Sequence, residues 1–199
     1  MTNILSPEEY ETIINLDNIS LQSYLNSRSW SHEELQSISL TEAFVRGEEA
    51  KLALKITALD LPFYPGVFVV NNFYLWQREF EGELLSAAIA KMSLEEFKHA
   101  LDGFVAGLQM IDKTLGLGFA KLQLSDILVT NNAFYLASHI VIDPNPFYDF
   151  KEFISTIASR SFANNEVKDF CRIVIEKITH LSRSESLDRY LYLRFTDQI

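Results

Sequence analysis

Few residues in this chain of 199 have the types and spacing that chemistry needs. Lys55 closes the run Leu52-Ala53-Leu54-Lys55, and Asp126 is followed five residues later by Asn131 and further on by Asp143. A lysine ammonium can neutralise an anion, and aspartate and asparagine side chains supply oxygen acceptors. Other chemistries have less to draw on. Cys171 is the single cysteine, which excludes an internal disulfide and a cysteine-based zinc cluster. Its place in the series Val167, Phe170, Cys171, Val174 makes it a small buried hydrophobe. His32, His99, His139 and His180 form no His-x-His or His-x-x-x-His pair, so no metal site is expected.

The elements that must position these groups are marked by caps and by hydrophobic period. Ser6-Pro7-Glu8-Glu9, Ser31-His32-Glu33-Glu34 and Ser93-Leu94-Glu95-Glu96 each place a capping serine three residues before a glutamate, and each predicts a helix start. After Ser93, the residues Leu94, Phe97, Leu101, Phe104, Val105, Leu108 and Ile111 keep the three-and-four spacing of one face, which predicts a helix of about five turns. Leu52, Leu54 and Ile56 alternate with Ala53, Lys55 and Thr57, which predicts a strand whose Lys55 points away from the leucines. Residues 66–70 and 73–79 flank Asn71-Asn72, and residues 127–130 and 133–137 flank Asn131-Asn132. Both read as hairpins, since asparagine tolerates the left-handed turn. Phe150, Phe153, Ile154 and Ile157 open a helical stretch, residues 167–181 continue it, and a short helix is expected over residues 187–195.

Composition bounds the rest. At 199 residues and 48% hydrophobic, with 15 phenylalanines and 8 tyrosines, the chain folds as one α+β domain rather than staying disordered. A net charge of −10 repels phosphate backbones and anionic membranes, and no Lys/Arg cluster offsets it, so neither nucleic acid nor membrane is an expected partner. No apolar run approaches the roughly 20 residues of a spanning helix. Residues 1–9 lack a basic region followed by an apolar run, so a cytosolic protein without a secretory signal is expected.

A few strands, a polar connector, a long helix, a hairpin and then more helices is the order of the protein kinase fold, which this chain resembles over residues 50–195. Leu52-Ala53-Leu54-Lys55 is similar to the family's V-A-x-K strand, whose lysine holds the ATP phosphates. Glu79-Phe80-Glu81-Gly82-Glu83-Leu84 resembles the hinge between the lobes. Leu122-Gln123-Leu124-Ser125-Asp126-Ile127-Leu128-Val129 resembles the end of the catalytic loop and its strand. Phe134-Tyr135-Leu136-Ala137-Ser138 resembles the strand leading into D-F-G, and Asp149-Phe150 the buried helix behind the activation segment. The resemblance implies a helical extension over residues 1–38, a reduced small β lobe over about 39–80 and a mainly helical large lobe over about 81–199.

In this register the catalytic requirements fail. Phe119-Ala120-Lys121 stands where the family has H-R-D, and the Lys121 ammonium cannot take a proton from a substrate hydroxyl. Ser138 stands at the magnesium-binding aspartate of D-F-G. Residues 39–47 occupy the place of the glycine-rich loop with one glycine, and residues 57–64 are too short for the regulatory helix. Lys55 and Glu79 remain as a vestigial nucleotide cleft, and Asp126 stands at the family's metal-binding asparagine. The implied protein is a pseudokinase without a cofactor, acting as a protein-binding adaptor, scaffold or decoy. Its acidic field suits a basic protein partner, and its segment before Ser39 serves as a docking element.

Two alternatives stay open. Shifting the register by five residues makes Asp126 the base, Asn131 and Asp143 the magnesium ligands and Lys55 the phosphate ligand. The chain then resembles the small-molecule branch related to aminoglycoside phosphotransferases, with ATP and Mg as cofactors. In the plainer alternative the chain is a non-kinase interaction module, with Lys55, Asp126 and Asp143 as surface charges and Trp30 and Trp76 as core or interface anchors.

Overall fold

The computed structural model of the chain describes residues 40–44, 47–70, 74–119, 121–138, 142–143 and 146–181, with scattered positions between 8 and 27. The chain is mixed α and β and divides into two compact units, Met1–Phe80 and Glu81–Ile199. The helix expected after Ser31 and the one expected over residues 187–195 lie outside the described residues. So do the bounds of the helix expected after Ser6, although Glu8 and Thr12 are helical and the Thr12 hydroxyl donates to the Glu8 carbonyl at 2.7 Å.

In the first unit, strand β1 (Leu40–Phe44), helix α1 (Gly47–Thr57), strand β2 (Val67–Val70) and strand β3 (Tyr74–Arg78) follow in order. The strands form an antiparallel sheet in the order β1-β3-β2, pairing Leu40 with Arg78 and Phe44 with Tyr74, with an irregularity in β2 between Val67 and Val69. The hairpin expected around Asn71-Asn72 is present as β2 and β3; residues 71–73 are outside the described residues.

Two expectations here are corrected. Residues 52–57 are helical, because the window Glu48-Glu49-Ala50-Lys51-Leu52-Ala53-Leu54-Lys55 consists of strong helix formers. Ala53, Ile56 and Thr57 supply the buried i, i+3, i+4 face of that helix. Residues 39–47, read as standing in the place of the family's glycine-rich loop, instead supply strand β1 over Leu40–Phe44 and the first residue of α1.

Thr57 fastens α1 to the sheet. Its side chain, 4% exposed, donates to the Ala53 carbonyl at 2.9 Å and accepts from the Val67 amide at 2.8 Å, so one hydroxyl satisfies the last helical turn and the first residue of β2. Between them the chain turns at Asp60, φ 50°, and at Gly66, φ 71°. Leu61, Phe63 and Tyr64 are buried in this connection.

The second unit begins with strand β4 (Glu83–Leu84) and helix α2 (Leu85–Ala88), followed by the long helix α3 (Leu94–Leu115). The expected capping box is present: Ser93 Oγ accepts from the Glu96 amide at 3.3 Å, and the Ser93 amide donates to Glu96 Oε2 at 2.9 Å. The Ser93 amide, together with the Ser93 hydroxyl, which donates to Glu96 Oε2 at 2.8 Å, holds the Glu96 carboxyl below its ordinary value. Gly116 ends the helix at φ 66°, its amide bonded to the Asp112 carbonyl at 2.8 Å, a left-handed cap that favours glycine.

Beyond α3 come β5 (Gly118–Phe119), β6 (Ile127–Thr130), β7 (Ala133–Leu136), β8 (Ile142–Asp143), α4 (Pro146–Ser159) and α5 (Asn165–Leu181). A three-stranded antiparallel sheet runs β4-β6-β7, and β5 pairs with β8, Gly118 opposite Asp143. The predicted hairpin at Asn131-Asn132 is realised with φ of 50° and 57°, the two positive values of a type I′ turn.

The core of this unit is aromatic and is organised by α3. Phe97 meets Phe134 of β7 edge-on with centroids 5.8 Å apart and Phe170 of α5 at 6.2 Å. Phe104 meets the same Phe134 at 6.2 Å and Phe153 of α4 at 6.4 Å. Phe97, Phe104, Phe150 and Phe153 are at most 1% exposed, so one helix face binds the sheet and both following helices. Cys171 is fully buried, as expected, and burial pushes its thiol up to about 12.

Candidate functional site

The residues singled out for chemistry fall on different elements and are best located one at a time. Lys55 sits in the last turn of α1 with its side chain exposed, not on a strand, so the V-A-x-K likeness does not survive. The strand that precedes a helix here is β1, Leu40-Thr41-Glu42-Ala43-Phe44, and it contains no lysine. Glu79 follows β3 and is exposed.

The loop of residues 121–126 carries the most ordered chemistry. Leu122 and Leu124 are buried while Lys121, Gln123 and Ser125 face solvent, so alternate residues anchor the loop and present polar groups. Lys121 has φ 54°, a left-handed conformation that a residue with a Cβ adopts at a cost of roughly 1–2 kcal/mol. Asp126 closes the loop: its Oδ2 accepts from the Gln123 amide at 2.9 Å, and its own amide donates to the Gln123 carbonyl at 3.0 Å. The Asp126 carbonyl accepts from the Ala137 amide at 2.8 Å, and the Leu124 carbonyl accepts from the Ser86 amide at 3.3 Å, which ties the loop to β7 and α2. Partial burial raises the Asp126 carboxyl above its ordinary value, and the Gln123 N–H opposes that shift.

The set Asp126, Asn131, Asp143 is not assembled by these elements. Asp126 and Asn131 stand at opposite ends of β6, a strand of four residues, which separates them by about 16 Å along the chain direction. Two ligands of one magnesium ion lie about 2 Å from it, so this pair cannot share one. Asn131 is exposed at the hairpin tip, and its left-handed φ explains its residue type without a ligand role. Asp143 lies in β8 opposite Gly118. Ser138 follows β7 and is half-buried. Among the described residues, no three His, Cys, Asp or Glu side chains are grouped to hold a metal ion. No helix of the described residues is long and apolar enough to cross a membrane.

A contact that the sequence did not flag lies at the other end of β6 from this loop. Thr130 Oγ1 donates to the Glu81 carbonyl at 2.5 Å, and Gly82 packs against β6 so closely that a Cβ there would lie 2.9 Å from the Val129 carbonyl oxygen. The segment entering the second unit is thereby fixed on β6. Nearby, Lys91 Nζ pairs with Glu83 Oε1 at 2.7 Å, an exposed pair contributing about 0–1 kcal/mol. Gly82 is legible as a glycine, but its partner residues lie almost fifty positions away and carry no local signal. Of the two tryptophans, Trp30 is outside the described residues and Trp76 is placed on β3 by its backbone.

No family model, curated protein or solved structure matches this chain.

Proposed function

We propose that the chain is a kinase-like domain without phosphotransferase activity, which acts in the cytosol as an adaptor, scaffold or decoy for a basic protein. The succession of elements supports the kinase-like part. Strand, helix and two strands in the first unit, then the long α3, the β6–β7 hairpin and further helices in the second, follow the family's order. The correction at residues 47–57 works in both directions: it removes the strand that carried Lys55, and it supplies a helix before the β2–β3 hairpin where a regulatory helix belongs.

The observation that carries the inactive part is the loop of residues 121–126. Its first residue is an ammonium instead of a carboxylate, and its last residue, Asp126, spends its Oδ2 on the Gln123 amide within the loop. A carboxylate engaged in holding its own turn is a positioning group for that turn. No lysine on β1 and no aspartate at position 138 complete the set that phosphoryl transfer requires. The net charge of −10 supports a basic partner and a salt-sensitive association.

The test is magnesium-dependent ATP turnover by the purified chain, with Asp126→Asn alongside. Turnover at the level of a protein-free blank is expected for both. Turnover by the natural chain that Asp126→Asn abolishes would overturn the proposal in favour of an enzyme using Asp126 as its base.

A further inference from the structure

We draw no further inference here: the strongest candidate, the solvent-facing stripe of α3 formed by His99, Gly103, Ala106 and the half-exposed Met110, is an unpartnered helix face, and nothing in the structure shows what covers it.

Discussion

Replacing Gly82 with alanine places a methyl carbon where the second unit has no room. The new Cβ would stand 2.5 Å from Thr130 Oγ1, 2.9 Å from the Val129 carbonyl oxygen and 3.2 Å from Leu128 Cβ. The hydroxyl can rotate away only by giving up its bond to the Glu81 carbonyl, and the Val129 oxygen is backbone within the β4–β6 pairing, next to the Glu83–Val129 pair. Overpacking costs about 1–3 kcal/mol, and the lost hydrogen bond adds about 0.5–1.5 kcal/mol, so a destabilisation of about 1.5–4.5 kcal/mol is expected. Gly103 provides the opposite control: it lies within α3, nothing stands within 4 Å of a Cβ built on it, and Gly103→Ala should stabilise by about 0.5–1 kcal/mol.

The assay must report the second unit, and Trp30 and Trp76 both lie in the first. Cys171 solves this, since it is the only thiol, is fully buried and belongs to the second unit; its labelling during a urea titration reads the unfolding of that unit directly. A Gly82→Ala variant whose labelling midpoint matches that of the natural chain would refute the close approach of residues 81–82 to β6. A Gly103→Ala variant less stable than the natural chain would refute the placement of that face toward solvent.

Two other substitutions test separate parts of the account. Thr57→Val keeps the shape of the buried side chain but leaves the Val67 amide without its acceptor, so the first unit should lose about 1–3 kcal/mol, read by tryptophan fluorescence in urea; an unchanged midpoint would contradict the Thr57 link between α1 and β2. Asp126 has a folded-state pKa raised above its unfolded value, so its proton binds more tightly to the folded chain. Its contribution is fully present below the ordinary value of 3.8 and is lost as pH rises through the raised folded value. Asp126→Asn retains an acceptor for the Gln123 amide and removes the charge. The variant should therefore gain stability relative to the natural chain across that window, and a relative loss there would contradict the partly buried placement of the carboxylate.

How much of this fold could be read from sequence depends on how local its determinants are. Helix α3 was legible because Ser93, Glu96 and the face Phe97, Leu101, Phe104, Leu108, Ile111 repeat one signal over about five turns. The β6–β7 hairpin was legible because Asn131 and Asn132 are the residue types that accept two positive φ values. Helix α1 was misread because three alternating apolar residues over six positions satisfy a strand, whereas the helix is set by Glu48, Glu49 and Ala50, which precede that window. Strands β4, β5 and β8 are two residues each, too short for any period, and exist through their partners β6, β8 and β5.

The candidate site was less legible than the fold. Asp126 could be named as the residue of interest from its position before an apolar strand. That its carboxylate bonds the Gln123 amide is a turn property, set by the left-handed Lys121 and the buried Leu122 and Leu124 on either side. The spacing of Asp126 and Asn131 suggested a shared ion only while the intervening residues were free to coil. Ile127-Leu128-Val129-Thr130 are β-branched or apolar and form the central strand of their sheet, which holds the two residues apart.

The central claim, a kinase-like chain that has lost its phosphate chemistry, is tested most directly by thermal shift with ATP and ADP, each with and without magnesium. A ligand bound at a hundredfold excess over Kd stabilises the native state by about 2.7 kcal/mol, which for a chain of this size is a rise of about 5–11 °C. No magnesium-dependent rise is expected with either nucleotide, in a protein that melts cooperatively. A rise that requires magnesium and disappears in Asp126→Asn would contradict the claim and identify Asp126 as part of a working metal–nucleotide site.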